Sequence, residues 1–289
     1  MNKKIFGILL LMLISTMMVS ATNITDKVKS MNNTFVADVP IYEVGDSWLY
    51  EYEESDYNFD MNGKITLVFN RSWTSTITVT DDSGDFYTLE ETTEDVKGNL
   101  RWHDTKIRFT PFTQVKVNYK LRKTDLAESE TVIETKGFVF WLKGSIEFPI
   151  PAQIYMRQDL VNTPPRLDLP FPLITGTNGT IPEYSSHFIT ICSLYWGIIP
   201  IWQGEGDSDS ESSDYTCKKE SITTPAGTYE AYNVSGEVFW GDQAHDYFTY
   251  YYVPELGNTL KQTRHGDWDS SGRTWFNEEW ELISTSYEP

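Results

Sequence analysis

The feature that most restricts the fold of this chain is an alternation of apolar and polar side chains with a period of two residues. In QVKVNYKLR (114–122), Val, Tyr and Leu stand at every second position and alternate with Lys, Asn and Arg. This is the pattern of a strand with one buried face. WTSTITVT, DFYTLEETT, HDYFTYYYV and RTWFNEEWELIS are rich in Thr, Tyr, Trp and Val, which fit a pleated surface. The chain is therefore predicted to be all-β.

Turn clusters indicate how these strands connect. TDDSGDF and HGDWDSSGR separate strand-like segments, as in antiparallel hairpins. A long apolar stripe with a 3.6-residue period is missing, so few or no long helices are expected, apart from a short helix at 151–161. The predicted architecture is a large antiparallel sheet.

The N-terminus indicates export. Lys3 and Lys4 precede the apolar run IFGILLLMLISTMMV, and Val19 and Ala21 fit a signal-peptidase site, which predicts a signal peptide at 1–21. No other run has membrane-spanning length, so we expect a secreted or cell-surface protein without a transmembrane segment after signal removal. A formal net charge of −19 excludes nucleic acid as a partner, because phosphate binding needs clustered Lys and Arg.

The Pro-rich stretch NTPPRLDLPFPLITGTNGT divides the expected β-rich region, 22–289, into halves at about 38–165 and 180–289. It is either a linker between two domains or a crossing segment within one large sheet, and the second interpretation is favoured. Between Cys192 and Cys217 the chain starts apolar and ends acidic. In an exported chain these two cysteines predict one disulfide, which would stabilise the fold by roughly 3 kcal/mol.

Five Asn-x-Ser/Thr sequons are candidate glycosylation sites, and several of them are expected on exposed loops. They are Asn23, Asn32, Asn70, Asn178 and Asn233.

Three motifs carry a resemblance. YEVGDSWLYEY (42–52), ITTPAGTYEAYNV (222–234) and YYVPELGNTLKQ (251–262) resemble a pattern of secreted, mostly uncharacterised β-rich archaeal proteins. More loosely, they resemble bacterial secreted proteins of the LolA-like lipoprotein-carrier superfamily. In that superfamily a strongly curved antiparallel sheet encloses an apolar concavity. The resemblance therefore implies a curved, half-barrel-like sheet that binds a hydrophobic small molecule or lipid. The TPAG corner itself suits a type I turn and is interpreted as architecture.

A catalytic alternative starts at the GDS sequence. Ser47 would be the nucleophile, His245 the base and Asp242 its orienting partner, with Asn178 as an oxyanion donor, in the block order of SGNH-type esterases. That chemistry needs a parallel α/β sheet, whereas Ser47 runs straight into a strand-like segment. The chain is therefore expected not to be an enzyme.

A calcium site is a further alternative. In DWDSSGRTWFNE, Asp267, Asp269, Ser271 and Glu278 occupy positions 1, 3, 5 and 12 of an EF-hand-like loop, with Gly272 at the bend. The competing interpretation is a solvated hairpin turn, because the flanking segments read as strands. The acidic run DSDSESSD is a second, weaker place for a cation. No other cofactor is expected.

Aromatic side chains are the candidate ligand-binding residues: Tyr195, Trp196, Trp202, Tyr250 and Tyr252. If exposed, the run around 195–202 is a patch for lipid, sugar or a partner protein; if buried, it is a core strand. The first functional hypothesis is a non-catalytic extracellular or cell-surface protein that holds a hydrophobic ligand in the concave face of its sheet. The alternative is a carbohydrate-binding or adhesion module that contacts a cell-surface glycan or protein through exposed rings.

Overall fold

The computed structural model describes residues 35–59, 65–102, 105–109, 114–143, 146–147, 152–194, 199–240, 244–267 and 274–289. In this part of the chain the secondary structure is strand, apart from one turn of 3-10 helix at Pro254–Leu256. The all-β prediction is confirmed. None of the helical structure described is long and apolar enough to cross a membrane.

The strands of the first half are β1 (Val36–Ala37), β2 (Ser47–Phe59), β3 (Ile65–Asp81), β4 (Phe86–Trp102), β5 (Thr105–Phe109), β6 (Gln114–Arg122), β7 (Glu128–Lys143), β8 (Ile146–Glu147) and β9 (Ala152–Arg166). Those of the second half are β10 (Leu173–Ile174), β11 (Thr177–Ile181), β12 (Tyr184–Leu194), β13 (Ile199–Ser210), β14 (Ser213–Thr224), β15 (Gly227–Trp240), β16 (Ala244–Val253), β17 (Asn258–Asp267) and β18 (Thr274–Thr285).

One antiparallel sheet contains 16 of the strands within the described residues, and β1 and β10 form a separate pair. The order of the large sheet is β11-β14-β15-β16-β17-β18-β2-β3-β4-β5-β7-β9-β12-β13, with β6 between β4 and β7 and with β8 on β7. The first and second halves of the chain meet where β18 pairs with β2, from Thr274 opposite Asn58 to Thr285 opposite Trp48. Strands from both halves therefore share one continuous hydrogen-bonded sheet.

The pleat of β2 defines an inner and an outer face of the sheet. Trp48, Tyr50 and Tyr52 are buried, whereas Glu51 and Glu53, on either side of Tyr52, are exposed. We call the face that carries the three aromatic rings the inner face. Strands from β16 to β7 all contribute inner-face side chains to one cavity. If flat, those eight strands would span roughly 34 Å at about 4.8 Å per strand. The sheet therefore curves around its inner face.

The Pro-rich stretch crosses the inner face. Residues 167–176, which we call the crossing segment, lead from the end of β9 to β11 at the far edge of the sheet. Leu167 and Leu173 are buried against the second half of the sheet. Phe171 packs edge-on against Tyr252, with ring centroids 5.0 Å apart. The crossing segment thus covers inner-face aromatic residues that would otherwise contact water.

One local prediction is wrong. Residues 152–161 of the expected helix belong to β9, in which Met156, Gln158 and Leu160 are buried at every second position. The acidic stretch before Cys217 forms the end of β13 and the start of β14. Its glycines have a packing role, since a Cβ at Gly204 would lie 2.3 Å from the Trp202 ring.

The predicted disulfide between Cys192 and Cys217 is also wrong. Both thiols are free and buried. Cys192 on β12 pairs with Met156 and Trp202, whereas Cys217 on β14 pairs with Val234. Strands β12 and β14 are not neighbours in the sheet, and the two cysteines are not bonded to each other. Burial raises the pKa of each thiol to about 11, which keeps it protonated and unreactive near neutral pH.

Reduction is expected to leave the thermal stability unchanged, because no bridge constrains the unfolded chain. The measurement compares the melting temperature with and without a reductant, and counts reactive thiols in the denatured, unreduced protein. Both cysteines should react after denaturation alone. A lower melting temperature in reductant, or no reactive thiol, would show that the cysteines are bridged.

Shortening a buried side chain of the crossing segment is expected to destabilise the fold. Leu173 is 1% exposed in the core cluster beneath the segment, so Leu173→Ala should lower the free energy of unfolding by about 2–5 kcal/mol. Chemical denaturation measures this value. Ile41→Ala is the control, because Ile41 is 78% exposed and its truncation should cost less than about 0.5 kcal/mol. Equal effects of both changes would contradict the placement of the segment.

Candidate ligand cavity

The three sequence motifs meet at one end of the sheet. Trp48 Nε1 donates a hydrogen bond to the Leu256 carbonyl at 2.7 Å, and the Tyr42 hydroxyl donates to the Gly257 carbonyl at 2.9 Å. Gly257 itself ends the 3-10 turn in the left-handed region at φ 63°, where a side chain would be strained. Ala231, from the PAGT motif, lies in the same core cluster as these aromatic residues. The motifs thus fix strand ends that are distant in sequence, and their role is structural.

A cavity of about 230 Å³ lies beside this cluster, between the inner face of the sheet and the crossing segment. Its apolar lining comes from both walls and from the segment: Ile77, Leu89, Val115, Val117, Leu121, Ile133, Leu169 and Phe171. Its charged lining is Arg71, Glu91, Glu128, Arg166, Asp168, Arg264 and Glu278. The cavity is therefore amphipathic, which differs from the purely apolar concavity implied by the family resemblance.

A row of four charged side chains crosses the inner face. Arg264 on β17 pairs with Glu278 on β18, Glu278 with Glu54 on β2, and Glu54 with Arg71 on β3. The two carboxyl groups thus stand opposite each other, with a guanidinium group on each side. Arg71 Nε donates to Glu54 Oε2 at 2.6 Å, and Arg264 Nη1 donates to Glu278 Oε2 at 3.2 Å. Like charges opposite one another destabilise a sheet unless something else compensates them.

Two further carboxyl groups, those of Asp246 and Asp56, belong to this charged row and give it more negative than positive charge. Arg264 also donates from Nε to Asp246 Oδ2 at 3.1 Å, and Asp56 follows Glu54 on the same face of β2. In the described part of the chain this group has four carboxyl groups and two guanidinium groups, an excess of two negative charges when all are ionised. All of these carboxyl groups are at least 95% buried.

Three carboxylate oxygens have no hydrogen-bond partner among the described residues: Glu54 Oε1, Asp56 Oδ1 and Glu278 Oε1. Burial is the main cause that raises the pKa of each of the three carboxyl groups, and repulsion from a neighbouring carboxylate adds to it. The guanidinium groups act in the opposite direction and do not cancel the effect. These groups therefore bind protons more tightly than ordinary carboxylates, and they have acceptor capacity left for a ligand.

An aromatic wall adjoins the charged row. Tyr52 lies between Trp73 and Trp280, with ring centroids 3.7 Å and 5.0 Å away respectively. All three rings line the cavity. The indole Nε1 atoms of Trp73 and Trp280 are buried, and no described residue accepts their hydrogen bonds. Buried indole N–H groups usually find an acceptor, so the cavity has donors as well as acceptors to offer.

A second polar group lies where the crossing segment begins. Arg166 donates to Asp168 Oδ2 at 3.2 Å and to Glu128 Oε1 at 3.5 Å. Burial raises the pKa of Asp168 to about 6, although Arg166 opposes the shift. On the facing wall Glu91 accepts hydrogen bonds from Ser75 and from the Tyr119 hydroxyl. The contact between Arg166 and Asp168 anchors the charged end of the segment over the cavity.

The predicted ligand-binding aromatic residues are only partly brought together. Tyr250 lines the cavity, and Tyr252 is buried beneath Phe171. Trp202 lies on β13 at the sheet edge and is 36% exposed. Tyr195 and Trp196 lie outside the described residues. Trp202, the aromatic residue of the 195–202 run that the structure describes, therefore does not line the cavity.

Exposed rings also occur on the outer face. Tyr247, His265 and Trp275 lie on the adjacent strands β16, β17 and β18, with consecutive ring centroids 5.3 Å and 5.9 Å apart. Tyr247 and Trp275 are exposed, and the Tyr247 ring lies nearly parallel to the His265 ring. This strip is the candidate surface for the alternative of a carbohydrate-binding module.

The residues of the catalytic alternative are far apart. Ser47 lies at the start of β2, where its hydroxyl contacts the Ser286 hydroxyl at 2.9 Å. Strand pairing places His245 level with Asp267, Trp275 and then Tyr57. Tyr57 is ten positions beyond Ser47 on β2, which corresponds to about 33 Å at the rise of a strand. Asn178 is exposed on β11, and Asp242 lies outside the described residues. The structure gives Ser47 no contact with His245.

The EF-hand-like spacing falls on a hairpin. Asp267 ends β17, and Glu278 is an inner-face residue of β18 that Arg264 already contacts. Asp269 and Ser271 lie outside the described residues. Within the described ranges no three Asp, Glu, His or Cys side chains are grouped so as to hold a metal ion. Glu278, at position 12 of the EF-hand-like spacing, thus belongs to the charged row, because its pairing with Arg264 places it on the inner face.

The sequons differ in accessibility. Asn70 on β3 and Asn178 on β11 are exposed. Asn233 is 3% exposed, and its side-chain amide donates to Glu220. A glycan on Asn233 would need that contact to break. Asn23 and Asn32 lie outside the described residues.

Sequence reasoning missed most of the charged row. The alternation that places Trp48, Tyr50 and Tyr52 inward continues unchanged through Glu54 and Asp56. That continuation was the available signal, because two acidic residues on the buried face of a strand need partners. Arg71 and Arg264 could not be assigned to them, since the sequence does not show which strands are neighbours.

Comparisons with known proteins include a distant match to a solved structure. No protein-family model matches the chain, and no curated protein matches it. Among solved structures, the chain is similar to a candidate exported protein with a YmcC-like fold from Bacteroides fragilis. The identity is 9%, the TM-score is 0.30, and the match covers 88% of this chain and 100% of the other. The LolA-like resemblance remains a prediction.

The charged row predicts a pH dependence of stability. Because the folded state raises the pKa of Glu54, Asp56 and Glu278, it binds more protons than the unfolded chain above the ordinary carboxyl pKa of about 4. Stability should therefore fall as the pH rises from that value through the raised pKa values. Glu278→Gln removes one of these groups. Its stability relative to the wild type should improve by roughly 1–2 kcal/mol over that range.

Denaturation at a series of pH values measures this effect. Glu279→Gln is the matched control, because the neighbouring Glu279 points outward and contacts Lys261 instead. It loses the same charge without touching the row. If both variants follow the same pH curve, the carboxyl group of Glu278 is not desolvated as described.

Proposed function

We propose that this protein is a non-catalytic binding protein that acts outside the cytoplasm and holds a small amphipathic molecule between its curved sheet and the crossing segment. The observation that carries the proposal is the cavity of about 230 Å³, which combines aromatic rings with buried polar atoms that have no partner among the described residues. Pockets for small molecules have this character, with an apolar lining and a few polar groups that orient the ligand. The signal peptide predicted at 1–21 supports a location outside the cytoplasm.

Because the lining is both apolar and charged, an amphipathic ligand is favoured over a purely hydrophobic one. A purely apolar molecule would leave Glu278 Oε1 and the Trp73 indole N–H without partners, and would cost each its hydration. A molecule with both apolar and polar parts can cover the rings and also bond these atoms. A binding role also agrees with the wide separation of Ser47 from His245.

Native mass spectrometry of the protein purified without detergent tests this proposal. We expect a non-covalent adduct of small mass that is lost on denaturation. Ile77→Trp would place a larger side chain in the cavity and should abolish the adduct, because Ile77 lines the cavity. Thr80→Trp is the control, since Thr80 is exposed at the end of the same strand. An adduct retained by Ile77→Trp, in a variant that melts like the wild type, would contradict binding in this cavity.

A further inference from the structure

The charge balance of the cavity narrows the ligand class further. Of the four carboxyl groups in the charged row, Glu54 and Asp246 each have a guanidinium partner in direct contact, Arg71 and Arg264 respectively. Glu278 shares Arg264 with Asp246, and no described residue donates a hydrogen bond to Asp56 Oδ1. A buried excess of negative charge is costly, so the folded protein gains stability from anything that supplies positive charge there.

Unpartnered atoms show where that charge is missing. Glu278 is 3% exposed and lines the cavity, and its Oε1 has no donor among the described residues. On the neighbouring strand, Glu54 Oε1 and Asp56 Oδ1 also have no donor among the described residues. When ionised, these oxygens only accept hydrogen bonds, so a group that completes them in that state must bring N–H or O–H donors. A bound cation itself favours the ionised form.

The aromatic wall favours an organic cation. Tyr52, Trp73 and Trp280 line the same cavity as Glu278. Tryptophan and tyrosine rings attract cations through their negatively charged faces, and Arg71 already uses the Trp73 ring in this way, 4.3 Å from its centroid. A small metal ion would use the oxygen atoms but not the rings. A protonated amine on an apolar body can use both.

We infer that the cavity is a site for a small organic molecule with a protonated primary amine. Its ammonium group lies against Glu278 in the cavity lining, with Glu54 opposite Glu278 on β2. Its apolar part lies against Trp73, Trp280 and the crossing segment. An oxygen atom on the ligand would accept the hydrogen bonds that the two indole N–H groups leave open. This inference rests on the proposed function, because it assumes that the cavity is a binding site.

Isothermal titration calorimetry with two matched probes tests the inference. 2-Phenylethylamine and 2-phenylethanol share a ring and a chain length, and they differ in an ammonium against a hydroxyl group. At neutral pH we expect the amine to bind at least about tenfold more tightly than the alcohol, equivalent to about 1.4 kcal/mol. Glu278→Gln should remove most of that preference, whereas Glu279→Gln on the outward side of β18 should retain it.

The outcomes separate the inference from the proposal on which it rests. If the alcohol binds as tightly as the amine, the cavity is a binding site but the amine assignment is wrong. If neither probe binds and no adduct is found in the purified protein, both are wrong. Asp56→Asn is a second variant in case Glu278→Gln does not fold, and it should also weaken the amine more than the alcohol. If Asp56→Asn weakens both probes equally, the charged row does not recognise the ammonium group.

Discussion

Burial of opposed carboxyl groups on the inner face is the constraint on which this structure depends. Glu278 and Glu54 face each other across β18 and β2, where the second half of the chain joins the first. Each is held by an arginine on the strand beyond it, Arg264 or Arg71. Removal of either arginine would leave a buried carboxylate without a cation, which typically costs several kcal/mol. Strands β17 and β18 of the second half and β2 and β3 of the first must therefore keep this register.

The curvature of the sheet and the crossing segment follow from the same arrangement. Charged side chains on the inner face are desolvated only because the walls of the sheet approach one another and the segment covers the gap between them. Leu173 and Phe171 supply the apolar contacts of this cover, and Arg166 holds its charged end between Asp168 and Glu128. The space that remains is amphipathic, and this character suits a ligand that carries both an apolar body and a polar head.

Sequence alone could predict the strands but not their neighbours. The period-two alternation of β6 predicted its buried face, and the TPAG corner was predicted as a turn between the strands that the structure shows as β14 and β15. The disulfide prediction failed because proximity in sequence between Cys192 and Cys217 says nothing about strands β12 and β14, which lie towards opposite edges. Glu278 was assigned to a calcium loop by spacing, although its position in the pleat directs it to Arg264. The cavity depends on such long-range pairings, which residue patterns do not encode locally.

The most direct test of this account is a titration of the side-chain carboxyl groups of Glu54, Asp56 and Glu278 by carbon-13 nuclear magnetic resonance, with assignment from the single Gln and Asn variants. Because burial raises the pKa of all three, their resonances should titrate well above the ordinary carboxyl range of about 4. Saturation with 2-phenylethylamine should lower the pKa values again, because an ammonium group favours the ionised form. Titration of all three groups in the ordinary range, with no response to the amine, would contradict a desolvated charged row and the cavity built on it.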